Sequence, residues 1–185
     1  MKRKFQKSLL ALLSVSIFLF SACKKDEAPK EDYAAIKKGW VTGTWKQKDI
    51  TLGVSTSVKV GSTKIPLNAG SSMLDDPTIN YLLEQMAGAN PFGFTRNNVY
   101  TFAADGTYAV EGANDYSIAF SLPVAGKSGK WDTEVYSSVL ALFPSTDTRD
   151  PHWINNITAT TLNLAISINL PGLGDVPMNL LLEKQ

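Results

Sequence analysis

Few side chains in this sequence of 185 residues could carry covalent or proton-transfer chemistry. Cys23 is its single cysteine and His152 its single histidine. His152, which we predict to lie in a loop, has no second ligand at metal-binding spacing and no nucleophile arranged with it. The acid pair Asp75–Asp76 could act on a glycosidic bond, but it stands where turns and helix caps are expected. We therefore expect no catalytic residue, no metal, no cofactor and no enzymatic activity.

The sequence before Cys23 has the organisation of an export signal. Basic side chains between residues 2 and 7 precede an apolar run from Leu9 to Phe20. As a helix this run would reach roughly 18 Å, which is short of the roughly 30 Å hydrocarbon core of a bilayer. A cleaved signal peptide over residues 1–22 is therefore favoured over a spanning anchor, and no other segment is a membrane-spanning candidate.

The residues Phe20-Ser21-Ala22-Cys23 resemble the lipobox of bacterial lipoproteins. The resemblance implies that Cys23 receives a diacylglyceryl thioether, is uncovered by cleavage and is then N-acylated, for example with palmitate. Several acyl chains, at about 0.8 kcal/mol for each buried methylene, would hold the protein firmly on a membrane. We expect an anchored protein of the cell envelope, at the outer membrane. An ordinary signal peptide followed by an incidental cysteine is the alternative.

The residues that follow the lipobox suit a tether. Residues 23–39 are rich in charge, include Pro29 and lack a sustained apolar face. Within them, Lys24-Lys25-Asp26-Glu27 resembles a signal that sends lipoproteins to the cell surface in some Gram-negative lineages, and a solvated linker is the alternative. With its one cysteine used for lipid, the mature chain would have no disulfide, so its stability must come from a packed core.

Net charge argues against a nucleic-acid partner. Without the four basic side chains of the signal segment, 14 Lys and Arg remain against 17 Asp and Glu, a net charge of −3. Lys and Arg do not cluster with interleaved aromatic residues, which is the pattern that phosphate binding requires. We expect the membrane to be reached through the lipid anchor and nucleic acid not to be bound.

Residues 40–185 carry the alternation of apolar and polar side chains that predicts β-strands. It is clearest from Leu162 to Leu170, and Ala104-Asp105-Gly106 predicts a tight reversal between two strands. The other candidate strands begin near Trp45 and lie at 54–60, 99–103, 107–111, 118–122, 127–133, 138–143, 153–158 and 176–183. Because open sheet edges invite aggregation, this meander predicts an all-β, antiparallel up-and-down β-barrel of about 8–10 strands; a sandwich is the alternative.

One short helix is predicted around residues 76–88. Asp76 can cap it, Pro77 suits its first position and Gly88 can end it. Its apolar stripe has the spacing i, i+3, i+4, i+7 and consists of Ile79, Leu82, Leu83 and Met86. The stripe is expected to pack against the barrel wall or plug one end, and a lid over a ligand cavity is the alternative.

Four segments together resemble the lipocalin-like domains common in bacterial lipoproteins. They are Gly43-Thr44-Trp45, 101–108, Gly129-Lys130-Trp131 and 157–164, and the resemblance covers nearly all of residues 40–185. It implies a first strand that bends at Gly43, a Trp45 that plugs the closed end, and an internal apolar cavity for a small lipophilic molecule. Where lipocalins place an Arg over that Trp late in the chain, this sequence has Lys184.

The inward faces of the strands supply the candidate cavity lining. These residues are Trp45, Phe102, Tyr108, Phe120, Trp131, Leu164 and Ile166, with simple core packing as the alternative. The four tryptophans, Trp40, Trp45, Trp131 and Trp153, are predicted to be core anchors.

Two functional hypotheses follow from these features. The first is a membrane-anchored, lipocalin-like carrier of a small hydrophobic ligand. The second is a structural or accessory surface lipoprotein whose loops, such as 112–116 and 144–152, bind a protein or glycan partner.

Overall fold

The computed structural model describes residues 38–112, 126–135, 138–170 and 173–185. The predicted signal peptide, Cys23 and its tether up to residue 37, the candidate strand 118–122 and most of loop 112–116 lie outside these residues. The strands are β1 (Gly43–Leu52), β2 (Thr56–Val60), β3 (Thr63–Leu67), β4 (Val99–Phe102), β5 (Thr107–Glu111), β6 (Ser128–Glu134), β7 (Val139–Ser145), β8 (Thr148–Ile157), β9 (Thr161–Leu170) and β10 (Gly174–Lys184).

Eight of the strands form a closed antiparallel barrel in the order β1-β10-β9-β8-β7-β6-β5-β4. From β4 to β10 each strand pairs with its neighbours in sequence, and β1 closes the circle by pairing with both β4 and β10. Strands β2 and β3 form a separate hairpin. The predicted all-β, up-and-down barrel is therefore confirmed, and it is compatible with a lipocalin-like fold.

Strand alternation places the apolar side chains inside the barrel. In β9 every even-numbered residue from Leu162 to Leu170 is buried, and Leu164 lies opposite Leu180 of β10, which is fully buried as well. Burial of one such side chain contributes about 1.5–3 kcal/mol, so this pair of strands supplies much of the driving force for closure. The Ala104-Asp105-Gly106 reversal occurs as predicted, with Gly106 at φ 82°.

The antiparallel order gives the barrel two distinct ends. The end we call closed contains the start of β1, the β4–β5 turn and the C-terminal residues of β10. The end we call capped contains the end of β1, the β9–β10 turn and the insertion between β1 and β4. That insertion holds the β2–β3 hairpin, helix α1 (Pro77–Ala87) and a 3-10 helix (Pro91–Asn97).

Helix α1 begins and ends as its sequence predicts. The Asp76 side chain accepts hydrogen bonds from the backbone N–H groups of Thr78 and Ile79, at 2.9 and 3.2 Å, and Pro77 occupies the first turn. Gly88, at φ 77°, donates its N–H to the carbonyl of Glu84 at 2.8 Å. The caps satisfy backbone groups that a helix cannot pair by itself, so an 11-residue helix is stable here.

Four sequence-based expectations were wrong. Strand β3 was not predicted, and β8 begins at Thr148 rather than at residue 153, so most of the expected loop 144–152 is strand and only Thr146 and Asp147 form its turn. His152 is accordingly in a strand and buried. Trp40 and Trp153 are not core anchors, because they are 44% and 58% exposed.

Candidate functional site

The predicted cavity residues that the structure describes all lie inside the barrel. Their exposed fractions run from 0% for Trp45 and Leu164 to 5% for Ile166, and Phe120 lies outside the described residues. A fully buried side chain has no surface that a water molecule can touch, from outside or from an internal void. The barrel is therefore packed at the level of Trp45 and Leu164, and ligand contact by the predicted lining residues stays a prediction.

Trp45 closes one end of the barrel together with Lys184. The indole Nε1 donates to the carbonyl of Val41 at 2.7 Å, while the Lys184 ammonium lies 5.0 Å from the ring centroid and donates to the carbonyl of Trp40 at 3.3 Å. Gly43, at φ 137°, makes room, because a Cβ at this position would come within 2.7 Å of Lys184 Cε. Lys184 thus occupies the place over the tryptophan that the lipocalin resemblance assigns to Arg.

A second cation and tryptophan meet at the same end. Trp131 Nε1 donates to the carbonyl of Ala103 at 2.9 Å, and its ring meets Phe102 edge-on with centroids 5.6 Å apart. Lys38 Nζ lies 5.5 Å from the Trp131 centroid and 2.8 Å from Asp132 Oδ1. The hydrogen bond from Lys38 lowers the pKa of Asp132 below its usual value. Two tryptophans under two lysines therefore seal this end.

A polar cluster interrupts the apolar interior beside the 3-10 helix. Gln47, which is 2% exposed, donates from Nε2 to Thr95 Oγ1 at 2.7 Å and accepts from the Tyr100 hydroxyl at 3.1 Å. Burial raises the pKa of Tyr100 above its usual value. Because these buried groups bond one another, the cluster ties the 3-10 helix to β1 and β4 with defined geometry.

His152 and Asp150 form a second polar group on an inward face. They lie opposite Leu140 and Leu142 of β7, which point into the core. His152 Nε2 and Asp150 Oδ2 are 2.7 Å apart, and the nearby Asp150 charge adds to burial in raising the pKa of Tyr108. A carboxylate that orients an imidazole is part of a hydrolytic triad, yet among the described residues Asp150 is the one hydrogen-bond partner of the His152 ring.

An apolar cavity lies at the capped end, between helix α1 and the barrel. Its volume is about 30 Å³, which is enough for a water-sized probe. Thr56 is the one polar side chain among the described residues that line it, and Met86, 42% exposed, stands at its edge. The apolar lining consists of Leu52, Val58, Leu67, Met73, Ile79, Leu82, Leu83, Met86, Leu170 and Leu173.

A larger, open groove of about 670 Å³ lies beside β6. The Lys38–Asp132 ion pair stands among its lining residues, and the end of β7 and the turn that follows supply others. Its lining consists of Lys38, Asp105, Gly106, Gly129, Lys130, Trp131, Asp132, Phe143, Pro144, Ser145 and Thr146. The charged groups of both signs in this lining give it no preference for an anion or a cation.

The outer face of β8, β9 and β10 combines an exposed indole with three amides. Trp153 lies opposite Ala165, which in turn lies opposite Asn179. Asn155 Nδ2 donates to Asn179 Oδ1 at 2.8 Å and to Asn163 Oδ1 at 3.5 Å. Sequence reasoning missed this face. Trp153 and Asn155 both follow the buried His152 by an odd number of residues, so strand alternation would have placed them on the outer face. That argument requires residues 148–152 to be assigned to a strand.

The described residues contain no group of three or more His, Cys, Asp and Glu side chains placed to hold a metal ion. In the same part of the chain, no helix combines the length and the hydropathy needed to cross a bilayer.

No protein-family model matches this sequence, and no curated protein matches it either.

Proposed function

We propose that this protein is a lipid-anchored lipoprotein of the cell envelope whose barrel binds a small hydrophobic molecule at its capped end. The observation that carries the proposal is the apolar cavity between α1 and the barrel. The closed end is sealed by Trp45 and Trp131, which are 0% and 2% exposed, so a ligand would enter at the opposite end.

The size of the cavity implies that α1 acts as a lid. Ligand pockets are typically about 300–1,000 Å³, whereas this cavity measures about 30 Å³. A lipophilic molecule would therefore bind only when α1 moves away from the barrel and the ligand takes the place of the Ile79, Leu82 and Leu83 side chains. With Thr56 as the one polar lining side chain in the described residues, the ligand would be an apolar chain or ring system with at most one polar group near Thr56.

Binding of the apolar fluorophore N-phenyl-1-naphthylamine to the full-length chain in mild detergent tests this proposal. We expect saturable enhancement of its fluorescence in the wild type. Ile79→Phe, which fills the cavity from the helix side, should reduce the enhancement severalfold. The matched control is Tyr81→Phe on the same helix, because Tyr81 is 56% exposed and its ring faces solvent.

Native mass spectrometry of protein taken gently from its own host adds an independent measurement, since a bound lipophilic molecule should appear as additional mass. Absence of both the added mass and saturable fluorophore binding would refute the carrier function. Equal binding by Ile79→Phe and the wild type would refute the site, provided that circular dichroism shows both variants folded.

The proposed location rests on the sequence before the barrel. Cys23 in its lipobox would hold the protein on the membrane, and the charged segment that follows would leave the barrel free at the envelope surface. A ligand carried at this position would be exchanged with the membrane or with another envelope component.

A further inference from the structure

Trp153 stands on the outside of the barrel in a position that packing does not require. It lies in the middle of β8, is 58% exposed, and does not belong to the hydrophobic core cluster. Trp side chains normally gain stability by burying a large apolar area, and exposed tryptophans are enriched where proteins bind other molecules. A flat indole face that is open to solvent can stack against the apolar C–H face of a sugar ring.

The amides beside Trp153 are held in fixed orientations by one another. Because Asn155 Nδ2 donates to the Oδ1 atoms of both Asn163 and Asn179, the Nδ2 groups of those two residues and the Oδ1 of Asn155 are turned to other directions. No hydrogen bond occupies these three groups in the part of the chain that the structure describes. They form an alternating set of donors and acceptors, which suits hydroxyl groups because each hydroxyl both donates and accepts.

The register of the strands sets the dimensions of this face. Trp153, Ala165 and Asn179 form one row across β8, β9 and β10, and neighbouring strands lie about 4.8 Å apart, so the indole and the Asn179 amide are roughly 10 Å apart at the backbone. Ala165, the small residue between them, leaves the row open. A ring that stacks on the indole therefore presents its substituents to the amides.

The distribution of charged side chains around this face also restricts the charge of the ligand. The outward neighbours of this row in β9 and β10 are uncharged and include Ser167, Pro177 and Leu181. Charged side chains begin at Arg149, which is paired with Glu134, and at Glu183, which is paired with Lys48. They also begin at Asp175, which accepts a hydrogen bond from Asn169, and at Asp49 of β1, which lies opposite Leu181. The middle of the face thus has no charge with which to attract an acidic or basic partner.

From these observations we propose that the outer face of β8, β9 and β10 around Trp153 is a binding site for a neutral saccharide. Trp153 supplies the stacking platform, and Asn155, Asn163 and Asn179 bond the hydroxyl groups. This site is on the opposite side of the barrel wall from the apolar cavity, so it does not rest on the proposed carrier function.

An array of neutral and acidic oligosaccharides, probed with the full-length chain in detergent and followed by titration calorimetry with each retained sugar, tests the proposal. We expect a neutral oligosaccharide to be retained. Trp153→Ala should weaken its affinity by about tenfold or more, Trp153→Phe should weaken it less because a ring remains, and Asn179→Ala should weaken it severalfold. The matched control is Tyr81→Ala, which removes an equally exposed aromatic side chain from α1 and should leave the affinity unchanged.

Retention of acidic sugars alone, or of no sugar at all, would overturn the proposal. So would equal loss of affinity in Trp153→Ala and Tyr81→Ala, or binding of a protein partner through Trp153 with no saccharide retained. Thermal unfolding of each variant separates loss of the site from loss of the fold, and Asn179→Ala keeps the test decisive if Trp153→Ala unfolds. Binding of N-phenyl-1-naphthylamine by Trp153→Ala should remain as in the wild type, which separates this site from the cavity.

Discussion

At the scale of single residues, the closed end depends on the fit between Gly43, Trp45 and Lys184. Sequence alone identified Lys184 as the cation in the position of the lipocalin Arg, and the structure places its ammonium 5.0 Å from the Trp45 centroid. The ammonium of Lys184 carries three donors on a flexible stem, so it bonds the carbonyl of Trp40 and lies over the ring at the same time. The glycine is needed because any other side chain would be strained at its φ of 137°, and a Cβ would in addition displace the end of the lysine side chain.

Lys184→Met should therefore lower the free energy of unfolding by about 0.5–1 kcal/mol, because it keeps the apolar stem but removes the cation from Trp45 and the donor from Trp40. Lys184→Arg should keep most of the stability. Urea unfolding measures both effects. Lys46→Met, on the exposed side of β1, is the control and should change stability by less than about 0.5 kcal/mol. Equal stability of Lys184→Met and the wild type would show that the contact adds nothing to closure.

A carboxyl group in the β4–β5 turn is expected to make the stability of the fold depend on pH. The side chain and the backbone N–H of Thr107 donate to Asp105 Oδ1 at 2.7 and 2.9 Å, and these bonds lower the pKa of Asp105. A carboxyl whose pKa is lower in the folded state stabilises the fold above its unfolded pKa of about 3.9, and this contribution is lost as pH falls through the folded pKa. Asp105→Asn should consequently destabilise the protein at pH 7 more than at about pH 2.

Urea unfolding at both pH values measures this difference, and Asp147→Asn, the same substitution in the β7–β8 turn, is measured beside it as the control. An Asp105→Asn effect of the same size at both pH values would contradict the role of the ionised carboxyl.

At the scale of elements, strands with a clear two-residue period were predictable, even where they contain proline, as β10 does at Pro177, whereas β3 and the first part of β8 were not. Strand β9 alternates without interruption, whereas β3 contains Pro66 and β8 contains Pro151, a residue that normally argues against a strand. Pairing with the preceding strands β2 and β7 overrides that local preference, and such pairing is not visible when one segment is considered by itself. This is why the inward His152 and the outward Trp153 were both misplaced.

Helix α1 was predicted with its caps, and the caps give its stability a simple test. Asp76→Ala removes the acceptor for two backbone N–H groups and should cost about 1 kcal/mol. Because the loss of the cap loosens α1, amide hydrogen exchange should quicken in α1 while the exchange of β9 and β10 stays slow. Gln85→Ala, at an exposed position of the same helix, is the control and should leave exchange unchanged. Uniform quickening across the barrel would instead show that α1 and the barrel open as one unit.

At the scale of the whole molecule, closure of the eight strands explains how a protein with a single cysteine can remain folded outside the cytoplasm, if it is exported as proposed. A closed barrel has no free edge to pair with another chain, and its fully buried interior substitutes for disulfides. The inward positions were predictable because alternation determines them. Whether inward side chains fill the barrel or surround a cavity depends on how side chains of separate strands interdigitate, which alternation alone does not specify.

The proposed anchor predicts where the whole molecule resides. Cys23→Ser should move the protein from the membrane fraction to the soluble fraction and abolish labelling by radioactive palmitate in the host, because the acyl chains have no other attachment point in a chain with one cysteine. The barrel strands begin at Gly43, so the released protein should unfold at the same temperature as the anchored one. Lys25→Ser, two residues along the tether, is the control and should keep both the label and the membrane association. Continued palmitate labelling of Cys23→Ser would refute lipidation at Cys23, and release of Lys25→Ser would show that charge rather than lipid holds the protein on the membrane.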